Sequence, residues 1–207
     1  MANPAVADGQ GGHEKGSSLL VKLGFAALGL VLVLVAVVAT RPTAFHIERS
    51  ISIQAPPENA FVHVNDFHAW SAWSPYEKLD PQMERSYSGA PAGTGAAYGW
   101  KSESGNVGEG SMTIEKSVKP AEIVIRLEFT KPFAATNTAT FSFVPQPGGG
   151  TKATWAMDGN NNFMAKAASL VMNMDQLVGS DFERGLAALK TLAESAARPA
   201  SETAPGQ

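Results

Sequence analysis

The side chains of this 207-residue chain that could do chemistry are few and scattered. Cysteine is absent, which removes disulfides, thiolate zinc sites, iron–sulfur clusters and a thiol nucleophile. No serine, histidine and acid fall in a nucleophile-elbow or triad order. His63 and His68 stand five apart with Asp66 or Glu77 available as a third ligand, but that spacing fits no usual zinc signature. Neither a metal nor a cofactor is expected. Residues 93–99, GTGAAYG, have the wrong glycine spacing for a dinucleotide loop and lead into strand-like sequence, not a helix. Two charged residues stand out by position. Arg49 shares a period-two face with Phe45, Ile47, Ile51 and Ile53. Buried there, it needs a carboxylate, as a structural ion pair or as an anchor for an anionic ligand. Asp158 precedes the turn-rich run GNNN; it is an Asx or capping residue, or, if buried, a general base.

The larger chemical signal is apolar. Trp70, Trp73, Tyr76 and Trp100 form one aromatic group, in which Trp70 and Trp73 share a helix face. Their polar tips need partners when buried, so they either rim a pocket mouth or form a satellite core. Phe129, Phe141, Phe143, Trp155 and Met157 stand at alternate strand positions, and Met174, Val178 and Phe182 on one side of a helix. Such adaptable aromatic and Met surfaces suit a hydrophobic small molecule; equally, they can pack against each other and leave no cavity.

Several elements must position these groups. FHIERSISIQA alternates as a strand, Pro56-Pro57 ends it, and Pro57-Glu58 opens a short helix carrying Ala60, Phe61 and Val64. A second short helix holds the tryptophans and stops at Pro75. Six further strands follow by alternation, at 83–88, 95–101, 108–117, 122–130, 137–144 and 151–158. Turns are expected at Ser104-Gly105-Asn106 and Pro147-Gly148-Gly149-Gly150. Residues 163–196 then step by three and four as a helix, about 50 Å long if unbroken. A break near 173–175 or a bend at Gly179-Ser180 is expected. The order implies an antiparallel sheet with one apolar face covered by the last helix.

Ahead of this lies LLVKLGFAALGLVLVLVAVVA, residues 19–39, with 18 of 21 positions apolar. As a helix it spans about 31 Å, the thickness of a bilayer's hydrocarbon core, and Lys22 can snorkel to the headgroups. The end Val37-Val38-Ala39 also fits a signal-peptide cleavage site, but such peptides carry only about 7–15 apolar residues. A transmembrane helix over 19–40 is therefore expected, with the lipid bilayer as its partner. Lys15 and Lys22 on one side balance Arg41 and Arg49 on the other, a tie under the positive-inside rule. A signal-anchor is expected, with the short tail inside and the folded part on the non-cytoplasmic (periplasmic) side of an inner or plasma membrane. Residues 1–18 and 197–207 lack apolar periodicity and are expected to be disordered. The net charge of −3, with no basic tract, argues against nucleic acid as a partner. Oligomeric state is open.

The element order, with NDFHAWSAWSPYEKLDP, the opening IERSISIQAPPENAFVHVND, the segment TWAMDGNNNF and the ending NMDQLVGSDFERGLAALK, resembles the START-like (SRPBCC) superfamily, in its polyketide cyclase/dehydrase-like branch. The resemblance spans about residues 45–195, and the folded domain is expected over 45–196. It implies an α+β helix-grip fold, in which a curved antiparallel sheet of about seven strands wraps the long C-terminal helix around a cavity. The superfamily includes carriers, receptors, cyclases and allergens, so fold alone does not give activity. The expected function is a membrane-anchored binding module for a lipophilic small molecule or lipid. It predicts a closed apolar cavity of several hundred Å³. A cyclase or dehydratase would instead need a buried acid or base facing the cavity, such as Arg49 with a carboxylate or Asp158 with Tyr98. A ligand-free protein-interaction ectodomain is the third alternative.

Overall fold

The computed structural model describes residues 14–104 and 107–197, with side chains from Leu20 onward. The chain divides after Arg41 into two units. The first holds helix α1, Glu14–Ala39. Its stretch Leu20–Ala39 is long and apolar enough to cross a membrane, and nearly all of its side chains are exposed. Helical backbone thus begins at Glu14, inside the segment expected to lack structure, while residues 1–13 and 198–207 lie outside the described residues.

The second unit is one seven-stranded antiparallel sheet with helices on one face. The strands are β1 (Ala44–Ile53), β2 (Glu84–Gly89), β3 (Ala96–Lys101), β4 (Glu109–Val118), β5 (Glu122–Lys131), β6 (Ala135–Pro145) and β7 (Thr151–Asn160). Their order is β1-β7-β6-β5-β4-β3-β2. After β1 the chain forms α2 (Pro57–Asn65) and two 3-10 turns, Phe67–Ala72 and Pro75–Lys78. Six strands then run as a meander, and β7 closes back on β1. Gly105 and Asn106 of the expected 104–106 turn lie outside the described residues, although the Val107 amide donates to the Ser104 carbonyl at 3.0 Å.

The final helix is broken where asparagine interrupts the apolar periodicity. Helix α3 (Phe163–Ala168) ends in a linker, and α4 (Met174–Ala197) restarts with Asn173 Oδ1 accepting from the Gln176 amide at 3.1 Å. That is the first of the two expected positions. Helix α4 runs without a break through Gly179, which serves a different purpose. A β-carbon there would stand 2.1 Å from Arg49 Nη2, and one at Gly185 would stand 2.8 Å from the Trp155 ring. The two glycines let α4 lie directly on the large side chains of β1 and β7.

The inner sheet face alternates as the pattern requires. Ile53, Ile114, Ile123, Ile125, Phe141 and Ala153 are fully buried, while their neighbours along each strand face out. That outer face carries ion pairs such as Arg126 with Glu115 at 3.2 Å and Lys131 with Glu109 at 2.9 Å. The α4 end of the core is fastened by polar contacts. Lys190 Nζ donates to the Ser52 carbonyl at 2.6 Å, the Gln54 amide to Glu194 Oε1 at 2.7 Å, and Asn59 Nδ2 to the Ala193 carbonyl at 3.1 Å.

Candidate functional site

The strand registers turn the inner face into rows that cross the sheet. One row runs Arg49–Trp155–Phe141, and the next Ile47–Met157–Ala139–Ile125–Ile114. Beyond them come Phe45–Gly159–Asn137–Leu127–Met112–Tyr98, then Ala135–Phe129–Gly110–Trp100. The helices cover these rows unequally, and that divides the expected ligand set in two.

The covered part is full. Trp155 stacks on Phe182 of α4 at 4.1 Å between ring centroids and on Phe141 at 4.9 Å, while Trp73 and Tyr76 meet it edge-on. Trp70, Trp73, Phe141, Phe143, Trp155 and Phe182 are all buried. The indole N–H of Trp70 donates to the Val64 carbonyl at 3.0 Å and that of Trp73 to the His63 carbonyl at 3.1 Å. Both donors are spent on the backbone of α2 while both rings pack edge-on against Phe141 of β6, so the pair ties the short helices to each other and to the sheet. Burial and the nearby Asp181 carboxylate push the Tyr76 hydroxyl well above the ordinary phenol range, so it stays protonated. Where the sequence leads one to expect an enclosed cavity between sheet and α4, these aromatic rings interlock. Ring stacking and burial together favour a filled interior at this end.

The other part is only partly covered. Trp100, Met112, Leu127, Phe129, Met157 and Phe45 are only half-buried, and Trp100 meets Phe129 edge-on at 5.6 Å. Val178 of α4 is also half-buried, and Met174 is exposed. Amid these apolar neighbours sits Asn137, only 9% exposed, whose Oδ1 accepts no hydrogen bond from any described residue. An open hollow of about 290 Å³ lies at the ends of β1, β6 and β7, lined by Phe45, Asn137 and Gly159 together with the outer-face residues Thr136, Thr138 and Asp158. A second, of about 440 Å³, is formed by the 169–173 linker and Met174.

The charged residues take other places. Arg49 bridges β1 to α4, with Nη2 2.9 Å from Asp175 Oδ2 and Nε 2.9 Å from Glu183 Oε1. Arg49 holds the Asp175 carboxyl below the ordinary range. Asp158 lies on the outer sheet face, because it alternates with the inward Met157, and it pairs there with His46 Nδ1 at 2.8 Å. That hydrogen bond raises the His46 pKa. Asp158 is therefore not a partner for Tyr98. The partner is Glu77, whose Oε1 accepts from the Tyr98 hydroxyl at 2.6 Å and whose Oε2 accepts from Arg85 Nε at 2.8 Å. Burial first, and Glu77 second, raise the Tyr98 pKa above the ordinary phenol range. This constellation closes on itself: the acid is neutralised by arginine and the phenol proton is already donated. His68 pairs with Asp66 and stacks on Tyr87, apart from His63.

Sequence periodicity did not single out Asn137, Met112 and Leu127 as site residues, nor foresee the Glu77–Tyr98–Arg85 cluster. For Asn137 a signal existed, since it keeps step with the inward Ala139, Phe141 and Phe143. Glu77 lies in a 3-10 turn, where no period shows which way it points.

The profile of the family described as polyketide cyclase / dehydrase and lipid transport matches residues 44–194. The chain belongs to that family. No curated protein matches it. Among solved structures it is similar to the Zhui aromatase/cyclase from Streptomyces sp. R1128, at 14% identity and a TM-score of 0.57, covering 76% of this chain and 98% of that one. It is similar to protein CV1439 from Chromobacterium violaceum, at 14% identity and a TM-score of 0.52, covering 72% and 96%. The di-domain aromatase/cyclase BexL from the BE-7585A biosynthetic pathway aligns at 16% identity and a TM-score of 0.55, over 88% of this chain and 60% of that one. At these identities the likeness establishes the helix-grip fold and no particular chemistry.

Proposed function

We propose that this family member is a membrane-anchored module that binds a lipophilic small molecule or lipid in the open end of its grip. The observation that carries the reading is Asn137: a buried amide oxygen with no described donor, set among half-buried apolar side chains. Leaving such an acceptor unmet costs about 1–3 kcal/mol. A ligand hydroxyl or N–H would meet it while the ligand's apolar body lies along Trp100, Phe129 and Met157. Met174 and Val178 of α4 supply the facing side. Trp70, Trp73, Tyr76, Phe141, Phe143, Trp155 and Phe182 form the floor that fixes this surface. Arg49 positions α4 through its two carboxylates.

The binding reading is favoured over a cyclase or dehydratase because, among the described residues, the acids and bases of the inner face are already paired. Glu77 and Tyr98 are engaged with each other and with Arg85. Leu20–Ala39 supports anchoring by length and composition, and a tether at the bilayer raises the local concentration of lipophilic ligands. In this reading a short tail stays inside and residues 41–207 face the non-cytoplasmic side.

Native mass spectrometry of the full chain, released from mild detergent, tests the binding reading. The expected result is a co-bound lipophile in the native chain that is lost in Phe129→Asp, with the far-ultraviolet dichroism of the two unchanged. A bare mass, with no thermal shift from a phospholipid and fatty-acid panel, would contradict it and favour a protein-interaction role.

A further inference from the structure

One apolar surface of the folded unit is left over. Phe163 and Met164 in α3, Val171 and Met172 in the linker, and Met174 and Leu177 in the first turn of α4 are between 39% and 86% exposed. Within residues 163–174 the only charged side chain is Lys166. The neighbouring acid, Asp175, is bound to Arg49 and so neutralised. An exposed apolar segment edged by a single cation suits a bilayer interface, where apolar side chains enter the headgroup–acyl boundary and lysine meets lipid phosphates.

Chain connectivity says which surface is available to cover it. The Asn161 amide donates to the Thr43 carbonyl at 2.6 Å, and Lys166 Nζ to Thr43 Oγ1 at 2.8 Å, so the start of α3 is fastened to Thr43. Thr43 lies four residues beyond Ala39, where the apolar helix ends. Four extended residues reach at most about 14 Å. If Leu20–Ala39 crosses a membrane, the α3 edge is therefore held within reach of the face from which the chain emerges. The open end of the grip lies at the same edge, since Phe45 of β1 is paired with Gly159 of β7, just before α3.

The geometry points to α3, the 169–173 linker and the first turn of α4 as a membrane-docking surface, which sets the open end of the grip against the bilayer. The occupant is the lipid surface itself. This inference rests on the anchored-module reading, and it adds the route: the ligand enters from the membrane, not from bulk water.

The absence of cysteine allows a direct test on the full chain. Single variants Val171→Cys, Val118→Cys and Val31→Cys are labelled with an environment-sensitive fluorophore. They are then reconstituted in phosphatidylcholine vesicles containing nitroxide-labelled phosphatidylcholine. Val118 is exposed at the β4–β5 turn, at the opposite end of the sheet, and Val31 lies mid-helix in α1. The expected result is quenching at Val171 by headgroup-proximal nitroxide several-fold stronger than at Val118, with Val31 quenched by mid-chain nitroxide. Met172→Asp should reduce the Val171 signal. If Val31 is quenched but Val171 is no more so than Val118, the docking surface is overturned and the anchor stands. If Val31 is not quenched, the anchor reading fails and the docking surface fails with it.

Discussion

The two ends of the same sheet face have similar compositions and opposite fates. Around Trp155, aromatic rings from β6, β7, the 3-10 turns and α4 stack or meet edge-on at 4.1–6.2 Å. Two rows away, Trp100, Phe129, Met112 and Leu127 present equally large apolar groups, but no helix lies flush on them and they remain half-buried. The difference comes from α4. Glycines at 179 and 185 let it settle onto β1 and β7, and its N-terminus at Met174 stops short of continuous cover. What distinguishes a core from a binding surface here is the reach of the covering helix, not the residue types.

The strongest way to break that contrast is to remove the stack. Phe182→Ala deletes a buried ring against Trp155, and the expected destabilisation is about 3–5 kcal/mol by chemical denaturation. A loss below about 1 kcal/mol would mean that the covered end is looser than its ring geometry indicates. Gly185→Val pushes a side chain into the Trp155 ring and Pro75. Overpacking of this kind costs about 1–3 kcal/mol, so a lower denaturation midpoint at unchanged slope is expected. At the open end the order reverses. Phe129→Ala removes a half-buried ring and should cost only about 1 kcal/mol, while lipophile retention falls sharply. Equal retention in the variant would show that the open end is not the binding surface.

The smallest effect is a pH dependence at the seam between the ends. Because Arg49 lowers the Asp175 pKa, the pair's stabilisation is complete above the ordinary carboxylate value of 3.8 and is lost as pH falls through the depressed one. Asp175→Asn should lower the melting temperature modestly at neutral pH and flatten its acid limb, so that variant and native chain converge at the lowest pH. An identical acid limb in the variant would show that the pair does not link α4 to the sheet in solution.

Much of the architecture was legible in the residues. The period of two placed Ile123, Ile125, Phe141 and Phe143 inward, and 173–175 was one of the two places where a break or bend was expected, because alternation and capping are local properties. What was not legible was the cover. Phe129 and Phe141 obey the same alternation, and only the tertiary path of α4 makes one a half-open wall and the other a closed floor. The same limit applies to polar partners. Arg49 revealed its need for a carboxylate by lying on an apolar face, but Asp175 and Glu183, more than 120 residues later, could be found only once α4 had a position. Tyr98 meets Glu77 across 21 residues and a 3-10 turn, where no periodicity relates the two.

The most direct test of the central claim is photo-crosslinking of the full chain in vesicles that contain a diazirine-labelled phospholipid, followed by peptide mapping. Binding at the open end predicts adducts on peptides bearing Trp100 and Phe129, in addition to those on Leu20–Ala39, and their loss in Phe129→Asp. Adducts confined to Leu20–Ala39 would contradict it.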